Sequence, residues 1–321
     1  MRCHWGILGP GLVATEAVIP ALQKVEDATI QAVASRDAGR LESTARKFGI
    51  PDQHQDYQAL LDNPKVDAVY IALPNHLHSP WTLKTLQAGK HVLCEKPLAL
   101  NAREGEEMLA ASQKAGKLFM EAAMYRFHPR MQYLKRLVEE GELGELRFIH
   151  SAFTFTLTDP QTYRRRPEYG GGALLDVGPY CLNIVRWLTN REPEEVSVQG
   201  YRAAETRIDL GVSAQLRYSQ KTLAHVQCSF EAAEQQVLEL VGTKAAVTLP
   251  HPAFTAWKDD ATSLIINRGM EIEQKNFEPA DPYEIMVQHF TNCVIHQQAV
   301  EYTISESLDT LRLIDRINGL M

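Results

Sequence analysis

Apolar and polar residues alternate in two different ways along the chain. Up to about residue 120, short apolar runs are separated by stretches in which apolar residues recur three and four positions apart. This order is typical of repeated strand–helix–strand units on a parallel sheet. The predicted elements include strands at Trp5–Gly9, Thr29–Ser35, Val66–Leu73, His91–Cys94 and Leu118–Glu121, and helices at Ala38–Phe48 and Ala102–Ala115.

After Met124 the pattern changes. Strict alternation of apolar and polar residues in Val212–Tyr218 and Leu223–Phe230 indicates a sheet with one face on a core and the other more polar, which favours antiparallel pairing. The other predicted elements of this part are a strand at Leu146–Thr156 and helices at Pro129–Glu140, Tyr283–His296 and Ser305–Gly319.

These patterns predict an α/β fold of two domains, as the length of 321 residues also favours. Residues 1–122 are expected to form a Rossmann domain with a doubly wound parallel sheet. Residues 123–321 are expected to form an α+β domain with a large, mostly antiparallel open sheet.

Composition narrows the possible partners and the location. The net charge of −7 argues against nucleic acid or an anionic membrane as a partner, and no apolar run approaches the roughly 20 residues that span a bilayer. The five cysteines are scattered and never spaced Cys-x-x-Cys, which argues against a disulfide framework and a zinc site. Because an apolar run begins by Trp5, no secretory signal is expected, and we predict a cytoplasmic protein without a metal.

A glycine-rich turn follows the first predicted strand. Gly9-Pro10-Gly11-Leu12-Val13-Ala14 matches the G-x-G-x-x-G/A fingerprint between a strand and a helix. Gly9 would permit the tight turn, and Gly11 would let a pyrophosphate approach the backbone at the positive end of the helix. The segment from Gly9 to Leu12 therefore predicts a dinucleotide site.

The tip of the second strand bears on which dinucleotide binds. An acidic residue at this tip would bind the ribose hydroxyls of NAD, whereas an arginine accommodates the 2′-phosphate of NADP. Arg36, directly after the strand, favours NADP, with Ser35 and Arg40 as possible helpers. Asp37 leaves NAD open, and Arg36 could also be an ordinary solvated turn residue.

Two further segments follow predicted strands, where open α/β sheets place their ligands. Glu95 and Lys96 follow His91–Cys94, and Lys96 could donate to a substrate hydroxyl or lower the pKa of a neighbouring acid. The alternative is a surface lysine paired with Glu95. Pro74-Asn75-His76-Leu77-His78 could line the nicotinamide, or Asn75 could simply cap a helix.

A third candidate segment lies in the second domain. A triple glycine, at positions 170–172, begins a helical pattern that contains Asp176 and Tyr180, four residues apart and therefore on one face of a continuous helix. Pro179 would make a helix begin or bend there. Tyr180 beside a cation could act as a general acid or base, although a tyrosine on a core helix more often packs.

In combination these segments resemble the glucose–fructose oxidoreductase/inositol dehydrogenase (Gfo/Idh/MocA) family across essentially the whole chain. The turn after strand two, the segment ending in Lys96-Pro97, Arg126–Pro129 and a tyrosine at 180 are most similar to the branch of dimeric dihydrodiol dehydrogenases and NADP-dependent xylose dehydrogenases. The branch often has tryptophan where this chain has Tyr125 or Met124, so the substrate-facing residues cannot be transferred.

The resemblance implies roles for individual residues. Lys96 would be the catalytic lysine, and Tyr180 the proton-transferring group of an Asp176–Tyr180 pair. Four residues would line the nicotinamide and its ribose, namely Pro74, Asn75, His78 and Glu95. The resemblance also implies that the open sheet of the second domain forms a homodimer.

We therefore expect hydride transfer between NADP, or NAD, and a secondary alcohol of a cyclic polyol or aldose. Lys96 would hold Tyr180 and lower its pKa, while Asp176 orients both. Three alternatives remain open: a trans-dihydrodiol dehydrogenase, a glycosidase that uses bound NAD in a redox-neutral cycle, and a non-catalytic sensor of NAD(P).

Overall fold

The computed structural model describes residues 2–219 and 221–321. They form two compact units. The first unit runs to Met124 and also includes Pro282–Leu308, and the second comprises Tyr125–Asp281 and Asp309–Met321. The division at residue 122 remains a prediction of functional domains, because the first unit also takes in a segment from near the end of the chain.

The first unit contains a parallel sheet of six strands in the order β3-β2-β1-β4-β5-β6. Its strands are β1 (Cys3–Leu8), β2 (Ala28–Ala34), β3 (Asp52–His54), β4 (Ala68–Ile71), β5 (His91–Cys94) and β6 (Phe119–Glu121). The chain reverses its direction of progress across the sheet between β1 and β4, which is the topology of a dinucleotide-binding Rossmann fold. Four of the predicted strands differ from the observed ones by a few residues at the ends, and His91–Cys94 agrees.

Helices connect these strands. They are α1 (Ile19–Lys24), which continues a π-helix at Ala14–Val18, α2 (Ala38–Phe48), α3 (Tyr57–Leu61), α4 (His78–Gln87), which follows a 3-10 helix at Asn75–Leu77, and α5 (Ala102–Ala115). The predicted bounds of α2 are confirmed, and local chemistry explains them. The Asp37 carboxylate accepts from the Arg40 N–H at the start of α2, and Gly49 ends it with φ +65°.

A helix from late in the chain completes the core of the first unit. This helix, α9, which the sequence predicts from Tyr283, spans Pro282–His296. The Phe290 ring lies 5.5 Å from the fully buried ring of Trp5 on β1, and the Trp5 indole N–H donates to Thr291 Oγ1 at 3.3 Å. Since the indole has only one polar atom, this bond satisfies it inside an otherwise apolar core.

The second unit is built on an eight-stranded sheet in the order β14-β13-β12-β11-β7-β10-β9-β8. Its strands are β7 (Leu146–Thr156), β8 (Glu195–Arg202), β9 (Asp209–Ser219), β10 (Thr222–Ser229), β11 (Glu231–Gly242), β12 (Ala246–Leu249), β13 (Thr262–Arg268) and β14 (Glu271–Phe277). Seven strand pairs meet in this sheet, and only β7 and β10 are parallel. The predicted fold class, including a mostly antiparallel second sheet, is confirmed.

The two faces of this sheet differ in burial. On β10, Ala224, Val226 and Cys228 are buried, whereas the alternating Leu223 and His225 are at least partly exposed. The buried face packs against α8, because the Cys181 thiol of that helix, which spans Gly178–Thr189, lies 3.7 Å from the carbonyl of Gln227. The remaining helices are α6 (Pro129–Glu139), α7 (Ala173–Asp176) and α10 (Ile304–Leu320), besides short 3-10 helices at Met124–Phe127, Tyr163–Arg165 and Pro167–Tyr169.

The segment from residue 173 to 189 is not one continuous helix. The first helix ends at Asp176, Val177 separates the two, and the second begins at Gly178 with Pro179 in its first turn. Proline favours this arrangement because it has no N–H to donate to a preceding carbonyl. Asp176 and Tyr180 therefore lie on two successive helices, and the interpretation as one shared helical face is wrong, whereas the alternative of a helix beginning near Pro179 is confirmed.

Candidate active site

The glycine-rich turn leaves open space beside its backbone. Gly9 has φ +79°, and a Cβ there would lie 2.6 Å from Leu73 Cδ2 and 2.9 Å from the carbonyl oxygen of Ala72. A Cβ on Gly11 would meet nothing within 4 Å. Gly9 is thus required by the fold itself, while Gly11 leaves unfilled the space where a pyrophosphate would approach.

A cavity of about 460 Å³ adjoins this turn within the first unit. Pro10, Gly11 and Leu12 line one side of it, and α2 supplies Arg40, Ser43 and Lys47 on the other. Leu12 is 79% exposed, although its side chain is apolar. The cavity combines a helix start with Arg40 and with Lys47, whose ammonium is paired at 3.3 Å with the Glu16 carboxylate of the same cavity, and the helix start and Arg40 suit the phosphates of a dinucleotide.

The hydrogen bonds at the tip of β2 show that Asp37 caps a helix. Its carboxylate accepts from the Arg40 N–H at 2.9 Å and thereby caps α2, while the Asp37 N–H donates to the hydroxyl of buried Ser35 at 3.2 Å. The Arg36 side chain is exposed, with its guanidinium carbon 5.9 Å from the centre of the Tyr57 ring. Arg36 therefore offers a cation at the position where a 2′-phosphate would be recognised.

Hydrogen bonds to the backbone hold the segment that carries Lys96. The Lys96–Pro97 peptide is cis, and His78 Nδ1 lies 2.8 Å from the Pro97 carbonyl oxygen. One residue further, the Leu98 N–H donates to the buried carboxylate of Glu121 at 2.8 Å. Lys96 itself is half-buried at the carboxyl end of β5.

His78 is 1% exposed, and both of its ring nitrogens contact carbonyl oxygens, since Nε2 lies 2.7 Å from that of Leu73. Burial lowers the pKa of His78, and the two carbonyl contacts oppose this only in part. Pro74 precedes the 3-10 helix, Asn75 is its buried first residue, and no side chain caps it, so the capping alternative for Asn75 gains no support. The predicted contacts of Pro74, Asn75 and His78 with the nicotinamide remain predictions.

Glu95 is bound to a buried tyrosine. The Tyr70 hydroxyl donates to Glu95 Oε1 at 2.5 Å, and Tyr70 is fully buried on β4. Burial raises the pKa of Glu95, although the bond from Tyr70 and the charge of Lys96 lower it. Burial and the adjacent Glu95 together raise the pKa of Tyr70 well above its ordinary value. Tyr70 is therefore a neutral donor that fixes Glu95.

In the second unit, Asp176 lies inside the protein and is paired. Its side chain is 6% exposed, and Arg164 Nε donates to its Oδ2 at 2.7 Å. Burying a carboxylate is costly unless a cation or several donors compensate it, and Arg164 provides both charge and direction.

Aromatic rings surround Tyr180. Its ring centre lies 5.4 Å from that of Phe153, 5.6 Å from that of Tyr125 and 6.0 Å from that of Phe254. Tyr180 is nonetheless partly exposed, whereas the other three side chains are buried. The Tyr125 hydroxyl donates to Asn183 Oδ1. The cluster packs around the Tyr180 ring and forms an apolar wall next to it.

Asp209 fixes the start of α7. Its carboxylate accepts from the Leu174 N–H at 2.6 Å, and a Cβ on Gly172, whose φ is +115°, would lie 2.2 Å from Asp209 Oδ1. Burial raises the pKa of Asp209, and the backbone donor opposes this. Gly172 is therefore needed for close approach, and α7 delivers Asp176 at its other end.

Sequence reasoning missed several residues that shape these sites. They are Tyr70, Glu121, Phe153, Arg164, Asp209 and Phe254. A polar tyrosine within the apolar run of β4 and an acid at the end of β6 were available signals, because both break a hydrophobic pattern. The contacts of Arg164 and Phe254 have no local signal.

The part of the chain that the structure describes contains neither a cluster of metal-ligating side chains nor a membrane-spanning helix. Within residues 2–219 and 221–321, no cluster of three or more His, Cys, Asp or Glu side chains could hold a metal ion. No helix of the described part is long and apolar enough to cross a membrane.

Comparison with protein families gives a match to each part of the chain. Residues 3–123 match the model of the Gfo/Idh/MocA oxidoreductase family with an NAD-binding Rossmann fold. Residues 131–248 match the model of a C-terminal domain of the same family.

Individual proteins are similar over almost the whole chain. A D-xylose 1-dehydrogenase (NADP⁺) of Haloferax volcanii is 34% identical, with 98% of this chain and 95% of the relative covered. A trans-1,2-dihydrobenzene-1,2-diol dehydrogenase of Mus musculus is 35% identical over 87% of this chain and 81% of its own. Among solved structures, a 3-ketoreductase of Actinomadura kijaniata in complex with NADP and TDP-benzene has a TM-score of 0.94 at 28% identity, covering 99% of this chain and 98% of the other.

Proposed function

Because the chain belongs to the Gfo/Idh/MocA family of NAD(P)-dependent oxidoreductases that act on CH–OH groups, we propose that it prefers NADP and a secondary alcohol of a cyclic polyol or aldose. The preference for NADP rests on the hydrogen bond that the Asp37 carboxylate accepts from the backbone of Arg40. This carboxylate is engaged in capping α2, so the cations Arg36 and Arg40 define the chemistry of the strand tip. The NADP named for the xylose dehydrogenase and the ketoreductase agrees with this preference.

The residues of the first unit fit a dinucleotide. Gly11 leaves open space beside the backbone, and the cavity next to it contains Arg40 and Lys47. We expect Gly9–Leu12 to bind the pyrophosphate, and Ser35, Arg36 and Arg40 the adenosine ribose and its phosphate. We expect Pro74, Asn75, His78 and Glu95 to form the nicotinamide end, either directly or through the backbone that they hold. When bound, the nicotinamide supplies or accepts the hydride.

We propose Lys96, Asp176 and Tyr180 as the catalytic residues, in agreement with the family resemblance. In reduction, the Tyr180 hydroxyl would donate its proton to the carbonyl oxygen of the substrate while the carbonyl carbon receives the hydride, so that a ketone becomes a secondary alcohol. In oxidation the same phenol oxygen would accept the hydroxyl proton. Lys96 would donate a hydrogen bond to the substrate oxygen or to Tyr180, and Asp176 would orient the group.

The aromatic cluster also favours a second substrate class. Phe153, Phe254 and Tyr125 place an apolar wall around Tyr180. Such a wall can stack on the C–H face of a sugar, and it also suits the flat ring of a trans-dihydrodiol. The relatives include proteins named for each substrate class.

The direct test is a panel of aldoses, inositols and trans-dihydrodiols, each tried with NADP and NAD, with nicotinamide absorbance as the signal. We expect substrate-dependent reduction of NADP by members of one class. If no compound is turned over although the protein binds NADPH, the proposed dehydrogenase activity is wrong, and the result favours the alternative of a non-catalytic NAD(P) sensor. Substrate consumption without net change of the nicotinamide would indicate the redox-neutral alternative.

We also propose that the exposed face of the second sheet binds a second copy of the chain. Phe148 on β7 is in register with Leu223 on β10 and with Val241 on β11, and all three are exposed, by 58%, 46% and 40%. A row of exposed apolar side chains on neighbouring strands is unfavourable in water, and a two-fold symmetric dimer would cover it.

Light scattering tests this assembly. We expect a dimer mass at micromolar concentration, and a monomer for Phe148→Glu. Met270→Glu is the matched control, because Met270 is fully exposed at the turn between β13 and β14, away from the row. A monomer mass for the unaltered protein would refute the proposal. A cytoplasmic location is likewise proposed, supported by the fact that all five cysteines are buried free thiols.

A further inference from the structure

The segment that carries Arg164 is attached by its backbone to the triple glycine at positions 170–172. The Gly172 N–H donates to the Arg164 carbonyl at 3.0 Å, and the Gly171 N–H donates to the Arg166 carbonyl at 2.9 Å. A Cβ on Gly171 would lie 2.5 Å from the Arg164 carbonyl oxygen, so only glycine permits this contact. The triple glycine thus fixes the place from which the Arg164 side chain extends.

The side chain of Arg164 is attached to the same element. Its Nε donates to Asp176 Oδ2 at 2.7 Å, at the end of α7. Backbone and side chain together contact both ends of the segment from Gly171 to Asp176. An arginine held by its backbone carbonyl and by its guanidinium has little freedom to turn away from the carboxylate, and its charge is permanent.

Tyr180 lies within the electrostatic reach of Arg164. Burial lowers the pKa of Arg164, but the charges of Asp176, Tyr163 and Tyr180 raise it, and the net effect is upward. By geometry, Arg164 is a cation that contacts Asp176 at 2.7 Å and lies over the Tyr163 ring, 5.1 Å from its centre. The buried Cys228 thiol has a pKa raised well above its ordinary value, first by burial and then by Asp209, Cys181 and Asp176, so the thiol is neutral.

We propose that Arg164 is a positioning residue for the proposed oxidoreductase reaction, which holds Asp176 as a fixed anion and keeps positive charge beside Tyr180. This inference rests on the proposed function. It assigns part of the electrostatic control of Tyr180 to a residue of the same unit, in addition to Lys96. The cation lowers the free energy of a phenolate at Tyr180 relative to the phenol, and its loss would remove the positive charge that contacts the Asp176 carboxylate.

The variants Arg164→Met and Arg164→Lys distinguish the effect of the positive charge from the effect of the guanidinium's hydrogen-bond geometry. Arg164→Met should lower kcat about 10–100-fold, as the loss of a supporting partner of a catalytic group does elsewhere, with little change in KM or in NADPH affinity. In a plot of kcat against pH, the limb that reports the ionisation of Tyr180 should move to higher pH in Arg164→Met. Arg164→Lys should recover part of kcat and of the shift, because it restores the charge without the fork geometry.

Arg166→Gln is the matched control. Arg166 is an exposed arginine in the same segment, and its guanidinium lies over the Tyr169 ring, 5.5 Å from the ring centre. This variant removes one positive charge at nearly the same place in the chain, and we expect an unchanged kcat and pH profile. If Arg164→Met matched the control, or if Met and Lys variants lost activity equally with an unmoved pH limb, the inference would be overturned.

A measurement without substrate separates this inference from the proposed function. Ultraviolet difference spectra between the unaltered protein and Tyr180→Phe, recorded across pH, give the ionisation of Tyr180 alone. The same difference between Arg164→Met and the double variant should have its midpoint about one pH unit or more higher. This shift would support the coupling even if no substrate of the panel were turned over, in which case the proposed function fails. An unmoved midpoint would refute the coupling even in an active enzyme.

Discussion

The two units hold their reactive residues by different means. In the first unit, His78 and Glu121 contact backbone groups of Pro97 and Leu98, the two residues directly after Lys96. In the second unit, a side-chain ion pair with Arg164 holds Asp176, and packed rings hold Tyr180. A segment fixed by its backbone keeps its geometry whatever side chain it carries, whereas an ion pair changes the charge of the site when either partner is lost. We therefore expect the two units to respond differently to substitution.

The largest expected effect comes from the proposed proton-transfer groups, one in each unit. Tyr180→Phe should reduce turnover about 10²–10⁴-fold, because a general acid/base is lost, while nucleotide affinity stays almost unchanged. Lys96→Met should be at least as damaging, since it removes a donor and a charge together. The double variant should be little worse than the poorer single one, because residues that act as a unit are not additive.

Steady-state kinetics together with NADPH titration would check these expectations. Wild-type turnover and an unchanged pH profile for Tyr180→Phe would show that Tyr180 only packs. The proton would then belong to Lys96 or to another residue. Fully additive losses in the double variant would show that the two residues act independently.

The next effect tests whether the backbone really governs the first unit. Gly9→Ala should lower the free energy of unfolding by about 2–4 kcal/mol, because it combines a positive φ with a Cβ too close to Leu73 and Ala72. Gly11→Ala has open space and should leave stability within about 0.5 kcal/mol, yet weaken nucleotide binding. Denaturant unfolding and nucleotide titration of both variants measure the contrast. Equal stability losses for the pair would contradict it.

A smaller effect concerns the strand tip. Arg36→Ala should weaken NADP binding by about 1.5–3 kcal/mol, the value of a charge-assisted hydrogen bond, and leave NAD binding nearly unchanged. Calorimetric titrations with both nucleotides would measure the difference. Equal losses for NADP and NAD would rule out recognition of the 2′-phosphate by Arg36.

The smallest effect compares one histidine of each unit. Burial lowers the pKa of His91 to about 4, and it lowers that of His128 to about 4 together with the nearby Arg130. Because an unfolded histidine binds its proton near pH 6.5, the unfolded chain takes up protons first as the pH falls. Stability present above pH 6.5 should decline between pH 6.5 and 4, by about 1–2 kcal/mol for each residue after allowance for partial exposure.

The helix cap at His128 offers a control for this pH dependence. His128 accepts from the Arg130 N–H at 3.0 Å at the start of α6. Asparagine can cap in the same way without titrating, so His128→Asn should flatten the decline while keeping stability at pH 7. Urea unfolding at several pH values would measure it, and an unchanged slope would contradict the assignment to His128.

Local signals explain which elements the sequence predicts well. The bounds of α2 follow from the Asp37 cap and from Gly49, both of which are readable in the chain. The glycine-rich turn is readable for the same reason, because its function depends on residues that are adjacent in sequence. Long-range contacts leave no such mark. Arg164 meets Asp176 through a loop whose course depends on Gly171 and Gly172, and the sequence pattern identifies the glycines without identifying the arginine.

Pairing direction is another property that alternation does not encode. β10 alternates, yet it pairs in parallel with β7 and antiparallel with β9, while every other strand pair described in this sheet is antiparallel. The alternation of side chains depends only on the pleat of one strand, whereas direction depends on the connection between strands. Similarly, Pro179 predicts a break, but only the structure places it at Val177.

The helix Pro282–His296 has a consequence for biosynthesis. Trp5 leaves the ribosome 286 residues before Thr291, which hydrogen-bonds its indole, and the neighbouring Phe290 covers the same ring. The core of the first unit is therefore incomplete until the helix Pro282–His296 has been synthesised, and until then an apolar surface around Trp5 stays open to chaperones. A fragment that stops at Met124 would keep this surface permanently, so limited solubility of such a fragment is expected even though it contains the whole parallel sheet.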